Sequence, residues 1–121
     1  MKGLGTDLVE VGRLRAALER TPGLRDRLFT AAELDDVAAR RDPLPGLAAR
    51  FAAKEAVMKA LGVGFDRVPF TAVAVRSGEG GAPRVELTGP AAARADELGV
   101  TVWHVSLTHT DDLAQAVVLA G

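Results

Sequence analysis

Hydrophobic and polar positions alternate through Leu4-Gly5-Thr6-Asp7-Leu8-Val9-Glu10-Val11, the period of a half-buried strand. From Arg13 to Arg20 the period lengthens: Leu14 and Leu18 share one face while Arg13, Ala17 and Arg20 line the other. That pattern predicts a helix, stopped by Thr21-Pro22-Gly23, and Leu24 to Phe29 has room for one more short helical turn. Thr30 stands three residues before Glu33, the spacing of a capping box, so a helix is expected from Ala31 to about Arg41, ended by Asp42-Pro43. The clearest helix runs from about Gly46 to Leu61. It follows Pro45, is rich in alanine and is closed by Gly62.

Beyond Gly62 and Gly64, Val68 to Val75 reads as a strand, Ser77 to Gly81 as a loop and Arg84 to Leu87 as the returning strand of a hairpin. Pro90 to Leu98, with proline near its start and Gly99 after its end, predicts a last helix. Val100 to Thr108 and Ala114 to Leu119 form a second hairpin around Asp111-Asp112. Strands grouped this unevenly among the helices favour an α+β fold over a doubly wound sheet. No repeat or linker divides the chain, so residues 1–121 are expected to form one domain.

Composition narrows the function more than the fold. The 121 residues are 48% apolar and 26% charged, and a net charge of −1 supplies no global field for gripping nucleic acid. There is no tyrosine and only five aromatic residues, too few for a platform that stacks bases. The absence of cysteine excludes disulfides, thiolate metal sites and a cysteine nucleophile. Asp7 arrives before any apolar run long enough for a signal peptide, and no stretch approaches the length of a membrane span, so a cytoplasmic protein without membrane contact is expected.

Four places could carry chemistry. Asp is a poor strand residue, yet Asp7 lies mid-strand on the side of Gly5, Val9 and Val11; it either faces water at a strand end or serves a site. On the long helix, Leu47, Phe51 and Met58 make an apolar stripe into which Lys54 falls, with Glu55 at its edge and Arg50 four residues before Lys54. Glu55 and Lys59 have the spacing of an ordinary surface ion pair. The chain nevertheless uses twelve arginines and three lysines, two of which stand beside Glu55, where a compact ammonium could meet phosphate. Both histidines fall in His104-Val105-Ser106-Leu107-Thr108-His109, with His104, Ser106 and Thr108 on one strand face. A His-x-Ser nucleophile pair is one reading and histidine binding phosphate or packing on the sheet another; no nucleophile elbow surrounds Ser106. Gly62-Val63-Gly64 could let backbone N–H groups approach a phosphate or could simply cap the helix.

Together these blocks resemble the holo-[acyl-carrier-protein] synthases, the small stand-alone 4′-phosphopantetheinyl transferases. The resemblance rests on Gly5-Thr6-Asp7-Leu8-Val9-Glu10-Val11 with Arg13, on Phe29-Thr30 with Glu33-Leu34, on Arg50-Phe51-Ala52-Ala53-Lys54-Glu55-Ala56 with Lys59-Ala60, Gly62 and Gly64, and on His104 to Thr110. In order and spacing it covers nearly the whole chain. The loop Asp42 to Gly46 departs from it, being proline-rich and lacking the lysines often found there.

The resemblance implies that family's fold, a small mixed or antiparallel sheet with a long central helix. It implies a Mg²⁺-dependent transfer of the 4′-phosphopantetheine arm of coenzyme A to a serine of an apo acyl carrier protein, releasing adenosine 3′,5′-bisphosphate. Asp7 and Glu55 would hold the metal, and Lys59 would stabilise the leaving group. Arg50, Lys54, His109 and the Gly62 to Gly64 backbone would hold coenzyme A phosphates. The serine's base stays open among Glu55, a metal-bound water and His104. A homotrimer is implied, with coenzyme A between subunits. Five arginines between Arg13 and Arg27 against Glu19 and Asp26 give this segment a local +3, and Arg13 and Arg20 on its outward stripe would dock the acidic carrier. The competing class is a non-catalytic coenzyme A or nucleotide-binding trimer, against which two carboxylates placed near anions weigh.

Overall fold

A computed structural model describes residues 1–121. The chain opens with β1 (Gly3–Glu10), followed by helices α1 (Val11–Arg20), α2 (Leu24–Leu28), α3 (Ala31–Val37) and α4 (Leu44–Leu61). A hairpin, β2 (Val73–Ser77) and β3 (Pro83–Leu87), leads through α5 (Gly89–Leu98) to a second hairpin, β4 (Trp103–His109) and β5 (Leu113–Ala120). The first strand joins that second hairpin in an antiparallel sheet ordered β1-β5-β4, with Asp7 opposite Ala116 and Leu107 opposite the same alanine. The β2-β3 pair is a separate antiparallel ribbon beside β4. The fold is α+β, with every strand pairing antiparallel. No helix is long and apolar enough to cross a membrane.

Helix α4 is the axis of the core and lies against β1 and β5. Its alanines are what let it approach: Ala48, Ala52, Ala53 and Ala56 are fully enclosed. On the strand side the matching residues are Gly3 and Gly5, where an added Cβ would overlap the backbone carbonyls of Ala60 and Ala56. Glycine is required there for close approach of two backbones. One apolar cluster gathers Val57 and Leu61 of α4 with Val73, Val75 and Val118; the other gathers Leu47 with Val11, Leu14, Phe29 and Val37. Each such side chain contributes roughly 1.5–3 kcal/mol on burial. With apolar residues on both flanks, α4 is buried nearly all round, so it lacks the single apolar stripe expected for it.

Element boundaries shift from the sequence expectations for local reasons. The capping box is present, Thr30 Oγ1 accepting from Glu33 N–H and Glu33 Oε1 from Thr30 N–H, but α3 ends at Val37 instead of Arg41. Val37 is buried, and Ala38 N–H turns back to the Asp35 carbonyl, tightening the last turn. Helix α4 starts two residues earlier than expected because Asp42 Oδ1 accepts from Leu44 N–H and Pro45 fits the first turn, where no N–H is needed. Strand β2 starts at Val73, not Val68, since Pro69 leads into a 3₁₀ turn at Phe70–Ala72. Strand β4 starts at Trp103, because Thr101 and Val102 N–H groups both bond the Gly121 carbonyl. Helix α1 begins at Val11, directly after β1.

Candidate active site

The glycine contact on α4 brings Asp7 beside Glu55, two carboxyls separated by 48 positions in sequence and within hydrogen-bonding reach in space. Burial, then the hydrogen bond and charge of Asp7, push the Glu55 carboxyl up to about 7, with the Lys59 ammonium opposing the shift. Lys59 Nζ donates to Asp7 Oδ1 at 3.1 Å and to the Thr6 carbonyl at 2.9 Å. Its ion pair is thus with the strand, not with Glu55 at the helical spacing the sequence offered. The Asp7 side chain is 13% exposed and that of Lys59 56%, so the pair sits recessed under an open cation. Two crowded carboxylates, one of them reluctant to ionise, form a donor set suited to a hard divalent cation, which takes one or two carboxylates and fills its remaining positions with water and phosphate oxygens. No third His, Asp or Glu joins them.

Lys54 is a correction. Assigned by resemblance to a coenzyme A phosphate, it is completely enclosed. Its ammonium donates to Glu33 Oε1 at 2.6 Å, to the Phe70 carbonyl at 3.0 Å and to the Val73 carbonyl. All three N–H donors are used, leaving none for a ligand. Burial holds the ammonium below the usual lysine range, against the pull of Glu33. Glu33 Oε2 accepts from Val75 N–H, so this ion pair ties α3, α4 and β2 together.

Arg50 and His109 meet in a cleft of about 330 Å³, which Arg40, Arg76 and Ser77 also line. Arg50 is 4% exposed, donates to the Gly46 carbonyl and to Ser77 Oγ, and its buried Nε has no partner. Burial, and next Arg40, hold this guanidinium below the ordinary arginine range, as fits a cation awaiting an anion. Sequence reasoning missed Arg40 and Arg76, which sit in segments with no motif of their own. Arg76 is held by Asp36 at 2.8 Å, and that bond keeps the Asp36 carboxyl below the usual range.

The glycines divide. Gly62, at φ +68°, donates its N–H to the Lys59 carbonyl, and Val63 N–H goes to that of Met58, so both cap α4 and neither is free for phosphate. Gly64 remains as the loop's candidate. His104 faces away from the acidic pair, on the outer side of the sheet with Ser106 and Thr108 opposite Leu119, Val117 and Gln115. That removes it as a base for this site within one chain.

A second opening, a groove of about 770 Å³, runs between α1 and α4. Asp7 and Glu55 lie in its wall with Phe51, while Arg13, Ala17 and Arg20 of α1 form the opposite rim. The Arg13 side chain is 83% exposed and only loosely paired with Glu10 at 3.7 Å. The structure therefore brings together the carboxylate pair, an exposed ammonium and an arginine rim. The Arg50 and His109 cleft lies separately, near the N-terminal end of α4.

Residues 3–118 match the family model of the 4′-phosphopantetheinyl transferase superfamily. A holo-[acyl-carrier-protein] synthase of Streptomyces avermitilis is 52% identical over 118 residues, covering 98% of this chain and 95% of that protein. The crystal structure of the holo-[acyl-carrier-protein] synthase of Neisseria meningitidis superimposes with a TM-score of 0.87 at 31% identity, over 100% of this chain and 98% of the other. A Bacillus anthracis holo-(acyl-carrier-protein) synthase, solved in complex with coenzyme A (3′,5′-ADP), has a TM-score of 0.80 at 27% identity, over 98% of this chain and 95% of its own.

Proposed function

Because this chain belongs to the holo-[acyl-carrier-protein] synthases of the 4′-phosphopantetheinyl transferase superfamily, we propose that it transfers the 4′-phosphopantetheine arm of coenzyme A to a serine of apo acyl carrier protein, as one cytoplasmic domain. The observation that carries the reading is the recessed Asp7–Glu55 pair under Lys59, in a groove rimmed by Arg13 and Arg20. The two carboxylates would hold Mg²⁺, which when bound offsets charge on the substrate pyrophosphate.

The serine oxygen attacks the phosphorus that bears the pantetheine arm, and the bond from that phosphorus to the oxygen of adenosine 3′,5′-bisphosphate breaks. Lys59 donates from Nζ to the departing phosphate. Glu55, half-buried beside Asp7, is the protein carboxylate placed to take the serine proton. Gly64 would hold a phosphate near Lys59, and Arg50 and His109, whose cleft lies apart in one chain, would reach a phosphate of coenzyme A bound at a neighbouring subunit of the homotrimer. The outer face of the β1-β5-β4 sheet exposes Leu4, Leu8, Leu113 and Val117, apolar surface that supports the homotrimer. Incubation with apo carrier, coenzyme A and Mg²⁺ should add one phosphopantetheine to the carrier mass; an unchanged mass leaves only the reading as a binder.

Two further results are expected. Reversing Arg13 or Arg20 to Glu should raise the carrier KM about fivefold or more and flatten its salt dependence, with coenzyme A binding unchanged. Unaltered carrier kinetics in both variants would place the docking surface elsewhere.

The second concerns pH. Glu55 holds its proton more tightly folded than unfolded, so between about pH 4.5 and 7 the folded state binds more protons and stability falls as pH rises. The loss is on the order of 1–2 kcal/mol once solvent screening of this half-buried group is allowed for. Added Mg²⁺ should raise Tm at pH 8 and leave it unchanged at pH 5, while Glu55→Gln should flatten the metal-free slope. Thermal melts across this range check both.

A further inference from the structure

We propose that the pantetheine arm of the bound substrate lies along a row of phenylalanine rings, Phe51, Phe70 and Phe65, with Phe65 as a positioning residue at the outer end. The inference rests on the reading that the pyrophosphate of coenzyme A is held at the Asp7–Glu55 end of the groove, with the carrier on its Arg13 and Arg20 rim. All four phenylalanines of the chain belong to one row. Phe29, enclosed in the core, meets Phe51 edge-on at 6.5 Å; Phe51 meets Phe70 at 5.3 Å; Phe70 stacks on Phe65 at 5.7 Å and 14°. The inner three rings are buried or half-buried, but Phe65 is 71% exposed.

Core packing accounts for Phe29, Phe51 and Phe70, all of which join apolar clusters, but not for Phe65. The Gly64 carbonyl accepts from both Arg67 and Val68 N–H groups, closing a tight turn that carries the Phe65 ring outward while one face rests on Phe70. The other face is open apolar surface at the end of a row whose inner member, Phe51, lines the groove with Asp7 and Glu55. The row therefore starts one helical turn from the acidic pair and ends at solvent.

The substrate has matching chemistry. From the reacting phosphorus the arm continues through one ester oxygen and one methylene to a quaternary carbon with two methyl groups, then a hydroxyl-bearing carbon, two uncharged amides and a thiol. Its dimethyl carbon and methylenes match an uncharged apolar surface that begins beside the metal-binding carboxylates. The carrier protein is the other candidate occupant. An acidic partner is drawn to the arginine rim of α1, whereas Phe65 is followed by Asp66 and Arg67, whose charges cancel.

Calorimetric titration with coenzyme A and with adenosine 3′,5′-bisphosphate, in Mg²⁺, separates the arm from the rest of the substrate. Phe65→Ser should weaken coenzyme A binding about tenfold, as loss of an apolar ring face implies, and leave bisphosphate binding within about twofold. Phe65→Leu should restore most of the difference. Since the ring is exposed, the serine variant should keep the wild-type Tm within a degree or two. Equal effects on both ligands, or unchanged coenzyme A affinity whether or not the carrier KM rises, would overturn the aromatic path. If the wild type binds neither ligand, the functional reading falls with it.

Discussion

Asp7→Asn and Glu55→Gln are each expected to cut transfer to the carrier by about a thousandfold or more, with the fold intact. Each exchange keeps side-chain size and removes a charge from a place where two negative groups face each other. Burial first, then the hydrogen bond and charge of Asp7, push Glu55 up to about 7, so Glu55→Gln removes a poorly solvated acid and its repulsion and should leave stability equal or higher. Asp7→Asn keeps an oxygen for the Lys59 ammonium. What both lose is the paired anionic donor set. Carrier mass after reaction with coenzyme A at several Mg²⁺ concentrations measures the effect; retained Mg²⁺-dependent turnover in either folded variant would refute the metal assignment. Lys59→Ala should lower kcat more than it raises the coenzyme A KM, the pattern of a contact made mainly in the transition state.

Breaking the enclosed pair at the other side of the same helix should act on stability instead. Lys54→Met is expected to cost about 3–5 kcal/mol, because it leaves the Glu33 carboxylate buried with no opposite charge and strips the Phe70 and Val73 carbonyls of their donor. Glu33→Gln should also be costly, since its one amide oxygen can accept either from Val75 N–H or from Thr30 N–H and Lys54 Nζ, and its NH₂ then faces donors on the other side. The double variant Lys54→Met, Glu33→Gln should fall short of the sum by about 1–3 kcal/mol, as expected for partners in one network. Urea unfolding with the slope held common gives these values. A loss below about 1 kcal/mol for Lys54→Met would mean that water reaches the ammonium.

The contrast between Lys54 and Lys59 shows where the sequence stops. They are the same residue type, five positions apart on one helix, hence pointing in well-separated directions, and residue chemistry alone made both phosphate candidates. The stripe of Leu47, Phe51 and Met58 already put Lys54 on a packed face, but it could not name the partners; only the positions of Glu33, Phe70 and Val73 decide that the ammonium is used up inside the fold.

Other features were legible because their causes are local. Alternation marked β1, the glycine-rich loop Ser77 to Gly81 and the Asp111-Asp112 pair marked the two hairpins, and the Thr30–Glu33 spacing marked a capping box that forms as read. The family-like blocks placed Asp7, Glu55 and Lys59 in one site before any distance was known. Helix ends were less legible, since α3 stops where Val37 must be buried and no residue announces that stop.

By itself, then, the sequence determined the α+β class, most of the elements and the chemistry that the chain could offer, because these depend on periods and caps spanning a few residues. The tertiary structure decided which of those groups meet. Gly3 and Gly5 let α4 settle onto the β1 backbone and press Asp7 against Glu55, while the same packing seals Lys54 and leaves Lys59 open. The reason is physical: contact between residues 48 positions apart is set by how closely two backbones can approach, a property of the packed pair that neither segment carries alone.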